Sequence, residues 1–90
     1  MMWYKNKKED HLVNLNNVIE FHEVEYADSK DIDIMATINN INHRVHVERF
    51  DNKNDTKIFL NFLLMSLDFN ASCSYDDFEY YKENNMEFEK

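Results

Sequence analysis

From Asp31 to Val47 the chain alternates apolar and polar residues with a period of two. In DIDIMATI, Ile32, Ile34, Ala36 and Ile38 share one parity, while Asp31, Asp33, Met35 and Thr37 share the other. INHRVHV repeats the pattern after Asn39-Asn40. Such alternation is what a strand with one buried face requires. A tight turn at Asn39-Asn40 needs positive φ at both positions, which Asn tolerates best after Gly. That turn predicts a hairpin pairing Ile38 with Ile41, Ala36 with His43, Ile34 with Val45 and Ile32 with Val47 on one face. The other face pairs Thr37 with Asn42, Met35 with Arg44 and Asp33 with His46.

Upstream, VIEFHEVEY (Val18–Tyr26) reads as another strand. Ile19 and Phe21 share a face, Val24 and Tyr26 take the opposite parity, and a bulge near His22-Glu23 would reconcile them. Met2–Lys5 and His11–Leu15 read as two short strands around the polar turn KNKKED, and LNNV at 15–18 as a second tight turn. Residues 51–90 change period. Asp51, Asn52, Asn54 or Asp55 can cap a helix over about 53–69. YDDFEYYKENNMEFEK then predicts a second, weakly amphipathic helix, with Asp76 and Asp77 placed favourably at its start. The expected fold is therefore α+β in one domain, 1–90: a small antiparallel sheet of four or five strands (residues 1–50) packed on a hydrophobic helix, followed by a short acidic C-terminal helix.

The first helix contains IFLNFLLMSLDF (Ile58–Phe69), in which only Asn61, Ser66 and Asp68 are polar. Phe59, Phe62, Leu63 and Ser66 suffice to face the sheet, and Lys57, Asn61 and Asp68 form a narrow polar stripe. Leu60, Leu64 and Leu67 then need another cover. Three covers are open: the second helix with Tyr75, Phe78 and Tyr81; a second copy in a homodimer; or a different protein.

Composition narrows the chemistry. The 90 residues include no Gly and no Pro, which excludes Gly-rich phosphate loops, dinucleotide turns and Gly-containing nucleophile elbows. Turns fall to Asp and to thirteen Asn. One cysteine, Cys73, forms no internal disulfide, and with no signal-peptide-like run in MMWYKNKKED a reducing, cytoplasmic setting is expected. No apolar run is long enough for a bilayer. With 10 basic and 18 acidic residues the net charge is −8, which repels nucleic acid and anionic membranes and suits a basic partner.

Candidate catalytic groups do not assemble. His43 and His46 read H-x-x-H, but on a strand they point to opposite faces, so no metal site is expected. Cys73 has no local base, and the carboxylate pairs read as solvated faces. No catalytic residue, cofactor or enzyme activity is expected. The acidic residues are more informative. Asp76, Asp77, Glu79 and Glu83 interleave with Tyr80 and Tyr81, and Glu25, Asp31 and Asp33 form a second patch along the middle strands. Aromatic anchors with a charged rim are the composition of binding hot spots. In size, acidity and lack of glycine the chain is similar to phage-encoded inhibitors of host defence nucleases, anti-CRISPR proteins among them, and to antitoxins. That similarity implies a non-enzymatic, nucleic-acid-mimicking inhibitor of a basic, nucleic-acid-binding protein. The alternative is a homodimeric structural or adaptor protein joined through the 58–69 helix by Leu60, Leu64 and Leu67.

Overall fold

The computed structural model describes residues 2–38 and 43–88; the side chains of residues 43 and 85–88 are not described. The fold is α+β, but the expected single sheet is two sheets of three strands. Strands β1 (Trp3–Lys5) and β2 (Leu12–Asn14) pair antiparallel. A 3-10 turn at Leu15–Asn17 then carries the chain out of that sheet into β3 (Val18–Glu25), β4 (Ile32–Ile38) and β5 (His43–Phe50). LNNV therefore joins two sheets rather than closing a hairpin within one. Helix α1 (Lys53–Asp68) follows, then β6 (Cys73–Ser74) and helix α2 (Tyr75–Phe88). Cys73 and Ser74 return to pair parallel with Tyr4 and Lys5, giving the order β2-β1-β6 beside β3-β4-β5.

From Met35 to Ile38 the β4–β5 ladder keeps the predicted faces but not the predicted pairs. Ala36 lies opposite Val45, Thr37 opposite Arg44 and Ile38 opposite His43, a shift of two residues that preserves parity. Nearer the strand ends the register slips between Ile34 and Met35, and Ile34 meets Glu48. The extra residue, Val47, is fully buried and Glu48 nearly so. The expected Asn39-Asn40 turn lies outside the described residues. The bulge expected at His22-Glu23 is instead at the start of β3, between Val18 and Glu20. None is needed later, because Val24 lies opposite Asp33 on the face away from the helices.

Helix α1 starts at the Asn52 cap, whose side chain accepts from the Asp55 amide at 2.8 Å. It stops at Asn70, whose φ of 54° supplies the left-handed residue that glycine usually provides. Thr56, Phe59, Phe62, Leu63 and Ser66 are its buried residues. The two hydroxyls there cost little, since Thr56 donates to the Asn52 carbonyl and Ser66 to that of Phe62. Helix α2 begins with a reciprocal cap. The Ser74 hydroxyl accepts from the Asp77 amide, and the Asp77 carboxylate accepts from the Ser74 amide at 2.9 Å.

The core forms where these parts converge. Phe59 of α1 lies 5.3 Å from the Tyr4 ring of β1, and 5.1 Å from both Phe50 of β5 and Phe78 of α2. A buried polar contact fastens the same junction: the Tyr4 hydroxyl donates to Glu48 at 2.6 Å, and the Lys7 amide donates to the same oxygen at 3.0 Å. Burial, then the Glu48 carboxylate, push the Tyr4 phenol far above its ordinary range, so it stays a donor. Replacing Tyr4 with Phe is expected to lower stability by about 1.5–3 kcal/mol in urea denaturation, the cost of losing a hydrogen bond to a charged group. In a Glu48→Gln background the same replacement should cost about half as much, because a neutral hydrogen bond is about half as strong.

Candidate functional site

Three surfaces compete for a function. The first is a polar cleft of about 720 Å³ along the seam between the 6–11 turn and β5. His11, His46, Glu48 and Arg49 line it, with Lys7 and Lys8. Nearly every charge in it has an intramolecular partner. His11 contacts Asp10 at 2.8 Å, His46 contacts Asp33 at 3.0 Å, and the Glu48 oxygen is held by Tyr4 and Lys7. Lys7 also sits over the Tyr75 ring, 5.4 Å from its centre. The Asp10 carboxyl is held below its usual range, by Asn6 first and then His11. This mutual satisfaction suits a seam between two sheets.

Asp33 is the centre of that seam's outer side. Arg49 donates to both its oxygens, at 2.7 and 3.0 Å, and Tyr26 adds a hydroxyl. Its side chain is only 4% exposed. The Arg49 guanidinium holds the Asp33 carboxyl well below the usual carboxylate range, and Asp33 raises Arg49 in turn. Of the second acidic patch, Asp33 is thus withdrawn from the surface, Asp31 lies 3.8 Å from Arg49, and Glu25 lies 3.4 Å from Lys53. Sequence reading paired Asp33 with His46 but missed Arg49 and Tyr26. Arg49 lies directly opposite Asp33 only because of the Val47 bulge.

The second surface is one side of α2. Asp76, Glu79, Tyr80 and Glu83 fall at positions i, i+3, i+4 and i+7, and all are exposed. Tyr80, 72% exposed, stands among the carboxylates. Among the described residues no cation pairs with Asp76, Glu79 or Glu83; Lys82 turns away to Asp55 at 2.9 Å. Asp77 is the member of the set spent on the helix cap. Tyr81 is half-buried, its ring 5.4 Å from Phe62.

The third surface answers what covers α1. Helix α2 covers the flank at Phe62 with Phe78 and Tyr81. It leaves Leu60, Leu64 and Leu67 on the opposite flank, where they line a groove of about 340 Å³ against Val18, Ile19 and Phe21 of β3. Leu64 is 56% exposed there.

Elsewhere the chemistry is sparse. Cys73 is half-buried in β6 and its thiol is pushed up by burial, the opposite of an activated nucleophile. Among the described residues no group of three His, Cys, Asp or Glu side chains could hold a metal ion, and no helix is long and apolar enough to cross a membrane. The side chain of His43 lies outside the described residues.

The Asp33 network has a pH signature. A carboxyl whose folded-state value lies below its unfolded one, about 3.9, contributes fully above that value and loses its contribution as the pH falls toward the folded one. Stability should therefore drop below about pH 4. Asp33→Asn should be less stable at neutral pH and show a shallower acid dependence, read as urea midpoints across that range.

No protein-family model matches the chain, and no curated protein or solved structure matches it.

Proposed function

We propose that the protein is a non-enzymatic inhibitor that occupies the basic channel of a nucleic-acid-handling protein. The carrying observation is the α2 face, where Asp76, Glu79 and Glu83 stand exposed with no cation in ion-pair contact among the described residues and Tyr80 between them. At about 1.5 Å per residue, Asp76 and Glu83 lie roughly 10 Å apart along the axis, close to the rise of about three phosphates on one duplex strand. A helix holds that spacing rigidly, so a groove shaped for a phosphate backbone meets fixed charges and no flexible tail. Tyr80 supplies the apolar contact that charge alone lacks. The net charge of −8 adds long-range attraction to a basic target and repels nucleic acid as a direct ligand. On this reading the protein acts in the cytoplasm, a reducing setting that suits its single cysteine.

A second reading, self-association through Leu60, Leu64 and Leu67, is favoured by the exposure of Leu64 in the groove. Sedimentation of the pure protein over rising concentration separates the two: a dimer dissociated by Leu64→Glu would establish it.

The test of the main reading is a tagged pulldown from nuclease-treated host lysate at low and high salt. A nucleic-acid enzyme recovered at low salt and displaced by added DNA or RNA is the expected result. Changing Asp76, Glu79 and Glu83 together to Lys should then weaken its binding at least tenfold, about 1.4 kcal/mol. Unchanged affinity would remove the α2 face from the mechanism.

A further inference from the structure

Three polar side chains on the outer face of β3-β4-β5 form a relay that neither the seam nor the α2 face uses. Glu20 and His22 are two residues apart on β3, so both stand on the face away from the helices. Thr37 of β4 lies opposite Glu20 in the ladder and diagonally across from His22. The Glu20 carboxylate lies 3.0 Å from Nδ1 of His22, and Nε2 of the same ring lies 2.6 Å from the Thr37 hydroxyl. These contacts set the direction of the relay. The ionised Glu20 only accepts, so in the neutral imidazole the proton sits on Nδ1. Nε2 then keeps a lone pair and accepts from the Thr37 hydroxyl. His22 and Thr37 are half-buried, so packing limits their rotation while solvent still reaches them. In the ladder on its other side Thr37 lies opposite Arg44, which is exposed and has no ion-pair partner among the described residues.

We propose that Thr37 is an activated hydroxyl, a site at which the protein takes an acyl group from a small neutral ester. A hydroxyl bonded to a base that a third group orients is the arrangement that makes Ser or Thr a nucleophile, on whatever fold it occurs. Oγ1 of Thr37 attacks the ester carbonyl carbon, and its proton passes to Nε2 of His22. The bond from that carbon to the leaving oxygen then breaks, and His22 gives the proton to the departing oxygen or to water. The products are an ester on Thr37 and a free alcohol. Glu20 touches no reacting atom; it positions the ring and stabilises the charge the ring gains. Charge decides the donor. One negative charge develops on the carbonyl oxygen, and one uncommitted guanidinium, that of Arg44, stands on the same face to meet it. A phosphoryl donor would bring several negative charges to a chain of net charge −8, beside Glu20. The transfer consumes the hydroxyl once and needs no turnover. It is separate from the α2 face, and each can fail alone.

The test treats the intact protein with p-nitrophenyl acetate at about pH 8, above the ordinary imidazole range, and locates acetyl groups by fragmentation mass spectrometry. The expected result is an acetyl group on Thr37, formed as p-nitrophenolate is released. In His22→Gln labelling of Thr37 should fall at least about tenfold, since a positioned general base contributes roughly 10²–10⁴-fold. It should persist in Thr37→Ser, which keeps the hydroxyl, and slow in Arg44→Gln. Glu20→Gln should slow it too, and the ring ¹⁵N shifts of His22 should move from the Nδ1–H form toward a mixture of tautomers, a change that lost stability alone would not produce. Circular dichroism checks that each variant folds. An unlabelled Thr37 in the native protein, equal labelling of Thr37 in folded His22→Gln, or a native His22 ring found in the Nε2–H form would each overturn the proposal.

Discussion

Neither three-stranded sheet has the surface to bury a core by itself, and both depend on the ring of Phe59. Sheet β2-β1-β6 reaches it through Tyr4, sheet β3-β4-β5 through Phe50, and α2 through Phe78. Rings packed edge to face at about 5 Å add roughly 0.5–1.5 kcal/mol per pair beyond the area they bury. Tyr4 and Phe78 meet Phe59 in this way and Phe50 meets it tilted, so one side chain couples both sheets and α2. The Glu48 carboxylate reinforces the junction with direction, since it accepts from both Tyr4 and the Lys7 amide and so fixes how one sheet sits on the other.

That junction also determines what is left over. Placing Phe78 and Tyr81 against Phe59 and Phe62 turns Asp76, Glu79 and Glu83 outward on the other side of α2. It uses up one flank of α1 and leaves Leu60, Leu64 and Leu67 with only β3 for company. The outer side of β3-β4-β5 is different. There Asp33 gathers Arg49, His46 and Tyr26, and His22 reaches Thr37 at 2.6 Å. A polar surface that satisfies itself offers a partner little, because each new contact must first break an existing one. Asp76, Glu79 and Glu83 on α2 carry no such ion pairs among the described residues.

Local chemistry was legible in the residues, and long-range pairing was not. The buried face of α1, its start near Asn52 and the short strands on either side of the KNKKED turn follow from periodicity and capping preferences. From Met35 to Ile38 the parity of β4 and β5 was readable for the same reason, since a two-residue slip leaves faces unchanged while altering the pairs. The division into two sheets was not readable. It rests on Cys73-Ser74 returning beside Tyr4-Lys5, a pairing across most of the chain that two residues cannot announce. The Val47 bulge was equally silent, and with it the Arg49 clamp that takes Asp33 out of the acidic patch. Asp77 shows the same limit in reverse: a residue that reads as free surface charge is a cap, and S-x-x-D before an amphipathic run was the available signal.

On the proposed reading the acidic side of α2 acts at long range. Carboxylates on α2 act across water, over a screening length of about 8 Å at physiological salt, and so raise the rate of encounter more than the lifetime of the complex. Salt would weaken that attraction. A chain of this size has room for one core and little for a deep cleft within it, so on this reading the surface of that core carries the function.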